Sequence, residues 1–538
     1  MLTKLVTQIR FMAFAGFILV ISCGGSQGLN SSITSDSLVN QSATYETAVG
    51  GQVQGLSLSG TDVKFTIADL DHDIVIALHS YDQGETETGF SLSTAHNNAG
   101  ETASLKKLGS QEASAAWDSE DPFENFLRES EAKLEREDAA APSMIKYAVT
   151  EYELGSTREF KVIDSFSDGN SYEKITTRLK YQNEDFEFYV DVRDEESISD
   201  ENLTTLALDF ENIIGKERDL FGTESDINGD GRFAVVFTQE VNNLGTEMGG
   251  IVTGYFYAMD LFDASKYPSS NEMEVIFTFV PDPSGEYGSP LSESFAVKNI
   301  IKGVLPHEFQ HMINFNQHYF VNEGETEQGW LNEALSHLAE DLYTLNDDNM
   351  IEGFGLENPA RVASFFSNIS ELCFTCGTSL SERGGAYLFV KYLFEQAEIG
   401  NLPEAESGAA FLEGLLTSNE RGVSNIVSAV FGPGSPDSDF KELLGLFSLA
   451  IYLSDTNQTG DDLYQFQGID LRGLVKDNRG TYLKGPGIQV VSDLPYTSSL
   501  KGNGLAYIQI PSSLLAASGG ELVFTAGDGS DFGAYVIQ

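Results

Sequence analysis

The sequence predicts an α+β fold, because strand-like and helix-like patterns occupy separate stretches of the 538-residue chain. Short apolar or alternating runs typical of β-strands occur at 50–100, from about 146 to 280, and at 481–538. Helical periodicity dominates 294–452. Apolar residues make up 41 % of the chain, enough for a sizeable core, and the length indicates two or three structural units.

The N-terminus has the pattern of an export signal. Two basic residues precede a short apolar run at 11–21, which is too short for a stable membrane span and predicts a signal peptide over 1–22. Residues 20–23, Val-Ile-Ser-Cys, resemble a loose bacterial lipobox of the kind seen in spirochaete lipoproteins. The resemblance implies a lipid on Cys23 that anchors the exported protein to the bacterial envelope, at the outer membrane or cell surface. Ordinary secretion is the alternative.

Composition divides the rest of the chain. Residues 23–49 are rich in Ser, Asn, Gln and Gly, which predicts a flexible tether after the lipidated cysteine. A small β unit follows at 50–100, a polar and acidic linker at 101–145, a large domain at 146–480 and a C-terminal β unit at 481–538. No internal repeat is evident.

The predicted linker has few β-formers and many charges. Its stretch 123–138 has the pattern of a charged helix, whereas the remainder is typical of poorly ordered sequence.

Charge excludes some classes of partner. The chain has 82 acidic and 31 basic residues, a formal net charge of −51. Such a chain repels phosphate backbones, so we expect no nucleic-acid partner, and contact with membrane is expected through the lipid anchor instead of a basic patch. We interpret the acidic residues as a solvated coat; clustered carboxylates that bind calcium are the alternative.

A His-Glu-x-x-His motif lies at 307–311. Positions i and i+4 share one face of a helix, so His307 and His311 can bind one zinc ion. Glu308 directly follows the first histidine, where its carboxylate can take a proton from metal-bound water. A helix with two ordinary histidines is the alternative. Four of the seven histidines fall between 307 and 337, which favours the metal site.

A catalytic zinc ion needs a third protein ligand and an open position for water. Residues 329–342 predict an amphipathic helix with leucines along one face, and its opposite face carries Glu333, His337 and Glu340. We predict Glu333 as the third zinc ligand.

The combined motifs resemble a known group of enzymes. The two histidines followed by Asn332-Glu333 on the next helix resemble the gluzincins, the thermolysin-like clan. The strings at 307–314 and 330–337 resemble the hyicolysin family of neutral metallopeptidases, most strongly over 300–345. The resemblance implies a zincin-type fold, with a sheet beside the active-site helix and a mainly helical second half. It also implies cleavage of peptide bonds within proteins, so protein and peptide substrates are the expected partners.

Two positions depart from the thermolysin-like pattern. That clan has an aspartate four residues after the glutamate ligand, where this chain has His337. Glu340 or Asp341 is the candidate to orient a zinc histidine, and His337 is either part of that support or an ordinary helix-face residue. Pro306 predicts that the active-site helix kinks or begins there.

The oxyanion that forms during peptide hydrolysis needs a further hydrogen-bond donor. Tyr387, on a predicted helix past Glu333, is our candidate. His318 and Tyr319 are rivals, and a core position for Tyr387 is the alternative interpretation.

A second metal is suggested by Asp226, Asn228 and Asp230. Together with Gly231 they match the first half of an EF-hand calcium loop, but Phe237 stands where the loop's glutamate belongs. A turn into the following strand is the alternative to a calcium site.

Three cysteines exclude a disulfide-stapled scaffold. Cys373 and Cys376 form a single Cys-x-x-Cys pair, so a four-cysteine zinc site is impossible. In an exported protein we expect a local disulfide between them, since a redox role lacks the thioredoxin context.

The sequence therefore predicts a zinc-dependent endopeptidase. The alternative is a surface adhesin or binding lipoprotein that uses a zincin domain as a scaffold. The intact Glu308 favours the enzyme, because a scaffold has no need of a general base.

Overall fold

The protein is described here from a computed structural model. The structure describes residues 43–45, 53–58, 62–82, 84–94, 121–134, 152–165, 171–248, 250–288, 290–345, 351–475, 480–527 and 529–538. The predicted signal peptide, Cys23 and most of the tether lie outside these residues and stay predictions. Within them, no helix combines the length and the apolar character needed to cross a membrane.

The first described elements are five strands and one helix. The strands are β1 (Ala43–Tyr45), β2 (Val53–Ser57), β3 (Val63–Ile67), β4 (Ile74–Ser80) and β5 (Thr88–Thr94). Helix α1 (Pro122–Ala132) follows. The Asp121 side chain caps it by accepting hydrogen bonds from two backbone amides, and proline at its first position lacks only a donor that no helix would use there.

A six-stranded mixed sheet supports the helical half of the molecule. Its strands are β6 (Thr157–Ile163), β7 (Tyr172–Gln182), β8 (Phe186–Asp191), β9 (Phe233–Phe237), β10 (Gly254–Phe256) and β11 (Val275–Thr278). Helices α2 (Asp200–Phe221) and α3 (Gln239–Met248) connect β8 to β9 and β9 to β10.

The strand order is β10-β11-β9-β8-β7-β6. Strands β8, β9 and β11 pair in parallel and are buried at every residue, as their continuous apolar runs predict. Strand β10 pairs antiparallel with β11 and forms one edge of the sheet.

Eight α-helices lie between this sheet and the C-terminal strands in the described part of the chain. They are α4 (Glu293–Ala296), α5 (Lys302–Phe315), α6 (Gly329–Glu340), α7 (Asn358–Ser367), α8 (Leu380–Glu398), α9 (Gly408–Leu416), α10 (Gly422–Phe431) and α11 (Phe440–Leu453). Helix α5 packs against the sheet, where the Phe309 ring stacks on Phe233 at 4.7 Å between centroids. Helix α6 packs against α5, and α8 packs against α6.

Helix α5 contains Pro306 instead of beginning there. It begins at Lys302, directly after a π-helical turn at Val297–Ile301, and a second π-helical turn at Asn316–Val321 follows it. Proline removes only one backbone donor, and the helical backbone continues past it to Phe315.

The last elements are β12 (Ile488–Val490), β13 (Tyr496–Leu500), β14 (Leu505–Ile510), α12 (Ser512–Ser518), β15 (Glu521–Ala526) and β16 (Phe532–Ile537). They combine with the first five strands in two five-stranded sheets, of order β1-β3-β15-β5-β13 and β12-β14-β4-β16-β2.

The two segments that the sequence treats as separate β units, 50–100 and 481–538, thus share both sheets. Strand β4 lies between β14 and β16, where Ile76 pairs with Ile508 on one side and Val536 on the other. Alternation in a sequence shows which residues face inward but not which strand is the neighbour, so this pairing could not be read from either segment. The α+β fold class is confirmed.

Candidate metal centre

Helix α5 presents two imidazoles on one face. His307 Nε2 and His311 Nε2 lie 3.2 Å apart, as one helical turn of separation allows. The Glu333 carboxylate approaches them from α6, with Oε1 3.0 Å from His311 Nε2 and Oε2 3.6 Å from His307 Nε2. One ligand atom from each of the three residues lies within 4.8 Å of the others, so the structure brings the three predicted zinc ligands together.

The donor set fits a zinc ion. Two imidazole nitrogens and one carboxylate oxygen are the protein ligands of many catalytic zinc sites. Both Glu333 oxygens are buried without an aligned hydrogen bond from the residues that the structure describes. Arg383 Nη1 lies 3.2 Å from Glu333 Oε2 and balances part of this buried charge, and the two imidazole nitrogens beside the carboxylate fit a metal ion as its further partner.

The Nδ1 atoms of both histidines lie close to side-chain oxygens that can accept a hydrogen bond. His307 Nδ1 lies 3.1 Å from Glu340 Oε1, and His311 Nδ1 lies 3.0 Å from Asn332 Oδ1. Each Nδ1–H can donate to that oxygen, which leaves the Nε2 lone pair free for a metal ion. Asn332 is part of the motif that carries the family resemblance, but the sequence alone does not predict its contact with His311.

Glu340 connects several groups behind the centre. Its Oε1 lies 2.8 Å from His337 Nδ1, and Arg361 Nη1 lies 3.0 Å from its Oε2. Of the two candidates to orient a histidine, Glu340 is therefore the one in contact with His307. His337 is buried, with Nε2 3.8 Å from Glu333 Oε2.

Charge and burial act in opposite directions on these groups. Burial lowers the pKa of both histidines, but the carboxylates of Glu333 and Glu340 outweigh it for His307 and raise its pKa to about 10. For His311, burial prevails and lowers the pKa to about 4. Burial also disfavours the Glu333 carboxylate, yet the Arg383 guanidinium and His311 hold its pKa well below the usual range.

The Glu308 side chain extends from α5 to the edge strand β10. Its Oε2 accepts a hydrogen bond of 2.9 Å from the backbone amide of Phe256, the last residue of β10. Burial raises the pKa of Glu308, and the charge of His307 opposes this rise. A carboxylate with a raised pKa is a stronger base than an ordinary surface glutamate.

Comparison with known proteins agrees with this geometry. No protein-family model matches the chain. The chain is similar to the neutral metalloprotease ShpI of Staphylococcus hyicus. The two are 27 % identical over 257 residues, which cover 47 % of this chain and 55 % of ShpI. The chain therefore spans about half the length of the curated relative that it matches.

Arg383 is a residue of the centre that the sequence does not reveal. It lies in the first turns of α8, and its Nη1 is 3.2 Å from Glu333 Oε2 while its Nη2 is 3.2 Å from Asp121 Oδ2. Ser379 caps the helix in a reciprocal capping box with Glu382, which holds the first turn and with it Arg383. An arginine in the first turn of a helix carries no distinctive pattern.

Tyr387 lies one turn beyond Arg383 on the same face of α8. It is fully buried, and its hydroxyl donates to Asp341 Oδ2 at 2.7 Å. Lys391 Nζ lies 2.8 Å from the same oxygen. The hydroxyl of the predicted oxyanion donor is thus engaged in a buried polar cluster between α6 and α8, which agrees with the alternative of a core aromatic.

The rival donors lie in the π-helical turn after α5. His318 Nε2 is buried 3.9 Å from Glu327 Oε2, and the Tyr319 ring stacks on Phe315 at 5.0 Å between centroids.

The predicted calcium loop forms the turn that precedes β9. Asp226 Oδ1 accepts from the Gly231 amide at 3.1 Å, and Asn228 Oδ1 accepts from the Asp230 amide at 3.0 Å. Within the described ranges, neither aspartate belongs to a cluster of His, Cys, Asp or Glu with metal-binding spacing. The side-chain oxygens are used by the loop itself, as the turn interpretation expects.

The Cys-x-x-Cys pair lies before α8. Cys373 and Cys376 are joined by a disulfide, with their Cα atoms 5.5 Å apart.

Proposed function

We propose that the chain is a zinc-dependent endopeptidase that hydrolyses peptide bonds within proteins. The observation that carries this proposal is the convergence of His307, His311 and Glu333 within 4.8 Å, with Glu308 adjacent to the first ligand. The similarity to a neutral metalloprotease over 257 residues supports protein as the substrate class.

The three side chains would hold the metal through two Nε2 atoms and a carboxylate oxygen. When bound, zinc supplies a Lewis acid that lowers the pKa of water and polarises the scissile carbonyl. Glu340 and Asn332 keep protons on the two Nδ1 atoms, which fixes the tautomer that the site requires.

Glu308 is the general base. Its carboxylate accepts the proton of the attacking water and later delivers it to the leaving amine. The Phe256 amide holds one carboxylate oxygen in place, and burial makes the group more basic than a surface glutamate.

The test compares the wild-type chain with Glu308→Gln in cleavage of casein, with the zinc content of both measured. Glutamine cannot accept the proton, so we expect the rate to fall about 10²- to 10⁴-fold with roughly one zinc per chain retained in both. Glu201→Gln, an exposed position on α2, is the matched control and should cleave like wild type. Equal cleavage by wild type and Glu308→Gln would remove this mechanism, and zinc binding without cleavage by any variant would favour the scaffold alternative.

A further inference from the structure

Helix α1, which belongs to the predicted acidic linker, packs over the wall of the metal centre. The Phe123 ring meets Tyr255 of β10 edge-on, with 5.3 Å between centroids. Phe126 stacks on Tyr257, the residue after β10, at 5.9 Å. Phe123 is 4 % exposed, so this helix covers the edge strand.

The polar face of α1 points to the same centre. The Arg128 side chain is 11 % exposed and pairs with two carboxylates of its own helix, Glu124 at 2.7 Å and Glu131 at 3.0 Å. Its charge also interacts with Glu333 and Glu308, the third metal ligand and the general base. One cation among four carboxylates leaves excess negative charge in a site with little water, an arrangement that persists only where the surrounding structure holds it.

Two further contacts join α1 to helices α8 and α6. Asp121, its capping residue, accepts from Arg383 Nη2 at 3.2 Å, and Arg383 contacts Glu333 in turn. At the start of α6, a side chain at Gly329 would come within 3.5 Å of Arg128 Cγ. Helix α1 therefore touches the edge strand, α6 and α8, which are three sides of the centre.

The outer face of α1 has a different character. Glu129 and Lys133 form an ion pair with side chains 68 % and 73 % exposed. Beneath the helix, Glu308 is 7 % exposed and Glu333 is 1 % exposed. A protein substrate must reach these groups, and α1 lies against the edge strand beside them.

We propose that helix α1 is an autoinhibitory plug. It occupies the surface across β10 and the metal centre that a substrate needs, so the intact chain cleaves proteins slowly and becomes fully active only when α1 is displaced. This inference rests on the proposed peptidase function, and it assigns a role to a segment that the sequence alone marks only as a charged linker helix.

The test weakens the contacts of α1 with the rest of the protein in the full, zinc-loaded chain. Phe123→Ala/Phe126→Ala removes both aromatic contacts, and Glu129→Ala/Lys133→Ala alters only the exposed face of the same helix. Two measurements are made on each: cleavage of casein, and hydrogen–deuterium exchange of the peptide spanning 251–258, which contains β10. The aromatic variant should cleave about tenfold faster or more and exchange faster, while the exposed-face variant should match wild type.

Arg128→Gln is a second variant, because it leaves both aromatic contacts in place and should shift both measurements in the same direction. Cleavage and exchange that stay at wild-type values in both variants would overturn the plug. Faster exchange without cleavage by any variant would overturn the peptidase function instead, and with it the inhibition, so the two failures are distinguishable.

Discussion

The Nδ1 atom of each metal-facing imidazole lies within hydrogen-bond distance of a side-chain oxygen, which orients the ring. For His307 this oxygen belongs to Glu340, which also accepts a hydrogen bond from Arg361. Glu340→Gln keeps an oxygen at that position but removes its charge, so His307 should be held less firmly and be a weaker ligand. We expect the zinc affinity, measured by competition with a chelator, to fall roughly 10- to 100-fold. Glu371→Gln, an exposed position nearby in sequence, is the control. An unchanged affinity in Glu340→Gln would show that His307 needs no such support.

Buried Asp260, three residues after the Tyr257 ring on which α1 stacks, predicts a pH dependence of stability. Burial raises its pKa from 3.8 to about 7, although hydrogen bonds from Asn271 oppose the rise. The folded chain therefore binds this proton more tightly than the unfolded chain. The stabilisation is complete below about pH 4 and is lost as the pH rises to about 7.

Asp260→Asn keeps the oxygen that accepts both Asn271 hydrogen bonds but cannot titrate. Between about pH 4 and 7, the wild type should lose up to about 1.4 kcal/mol of unfolding free energy per pH unit relative to this variant. Denaturant unfolding of both proteins across that range measures the difference. A difference that does not change with pH would contradict the prediction.

At the residue scale, the sequence predicts the site residues that lie close together along a single helix. His307, Glu308 and His311 follow from one helical turn, and Glu333 from a second amphipathic helix. Arg383 could not be predicted in the same way, because its contact with Glu333 depends on how α8 packs against α6. The choice of Tyr387 as oxyanion donor rests on its distance along the chain, which says nothing about where its hydroxyl points.

At the scale of elements, continuous apolar runs predict the buried central strands well, since parallel strands covered on both faces need such runs. The π-helical turns on either side of α5 have no such signal, because they insert a single hydrogen-bond shift into otherwise helical sequence. The charged helix expected at 123–138 is present as Pro122–Ala132. Its charge pattern suggests a solvated helix, and it does not reveal that Phe123 packs against β10 or that Arg128 interacts with Glu333 and Glu308.

At the scale of the whole molecule, the two five-stranded sheets are formed by strands from both ends of the described chain. The apolar alternation in 50–100 and in 481–538 identifies the strands but leaves their partners open. Pairing of β4 with β14 and β16 joins residues more than 400 positions apart, and no local pattern encodes such a contact. The segments before and after the large domain therefore contribute strands to the same two sheets.

The central claim is that His307, His311 and Glu333 hold one zinc ion. Anomalous diffraction at the zinc absorption edge from crystals of the zinc-loaded full chain tests it most directly. We predict a single strong peak at roughly 2.0–2.2 Å from both Nε2 atoms and from a Glu333 carboxylate oxygen. No peak among these three side chains, or one bound by other residues with Glu333 out of reach, would contradict the account.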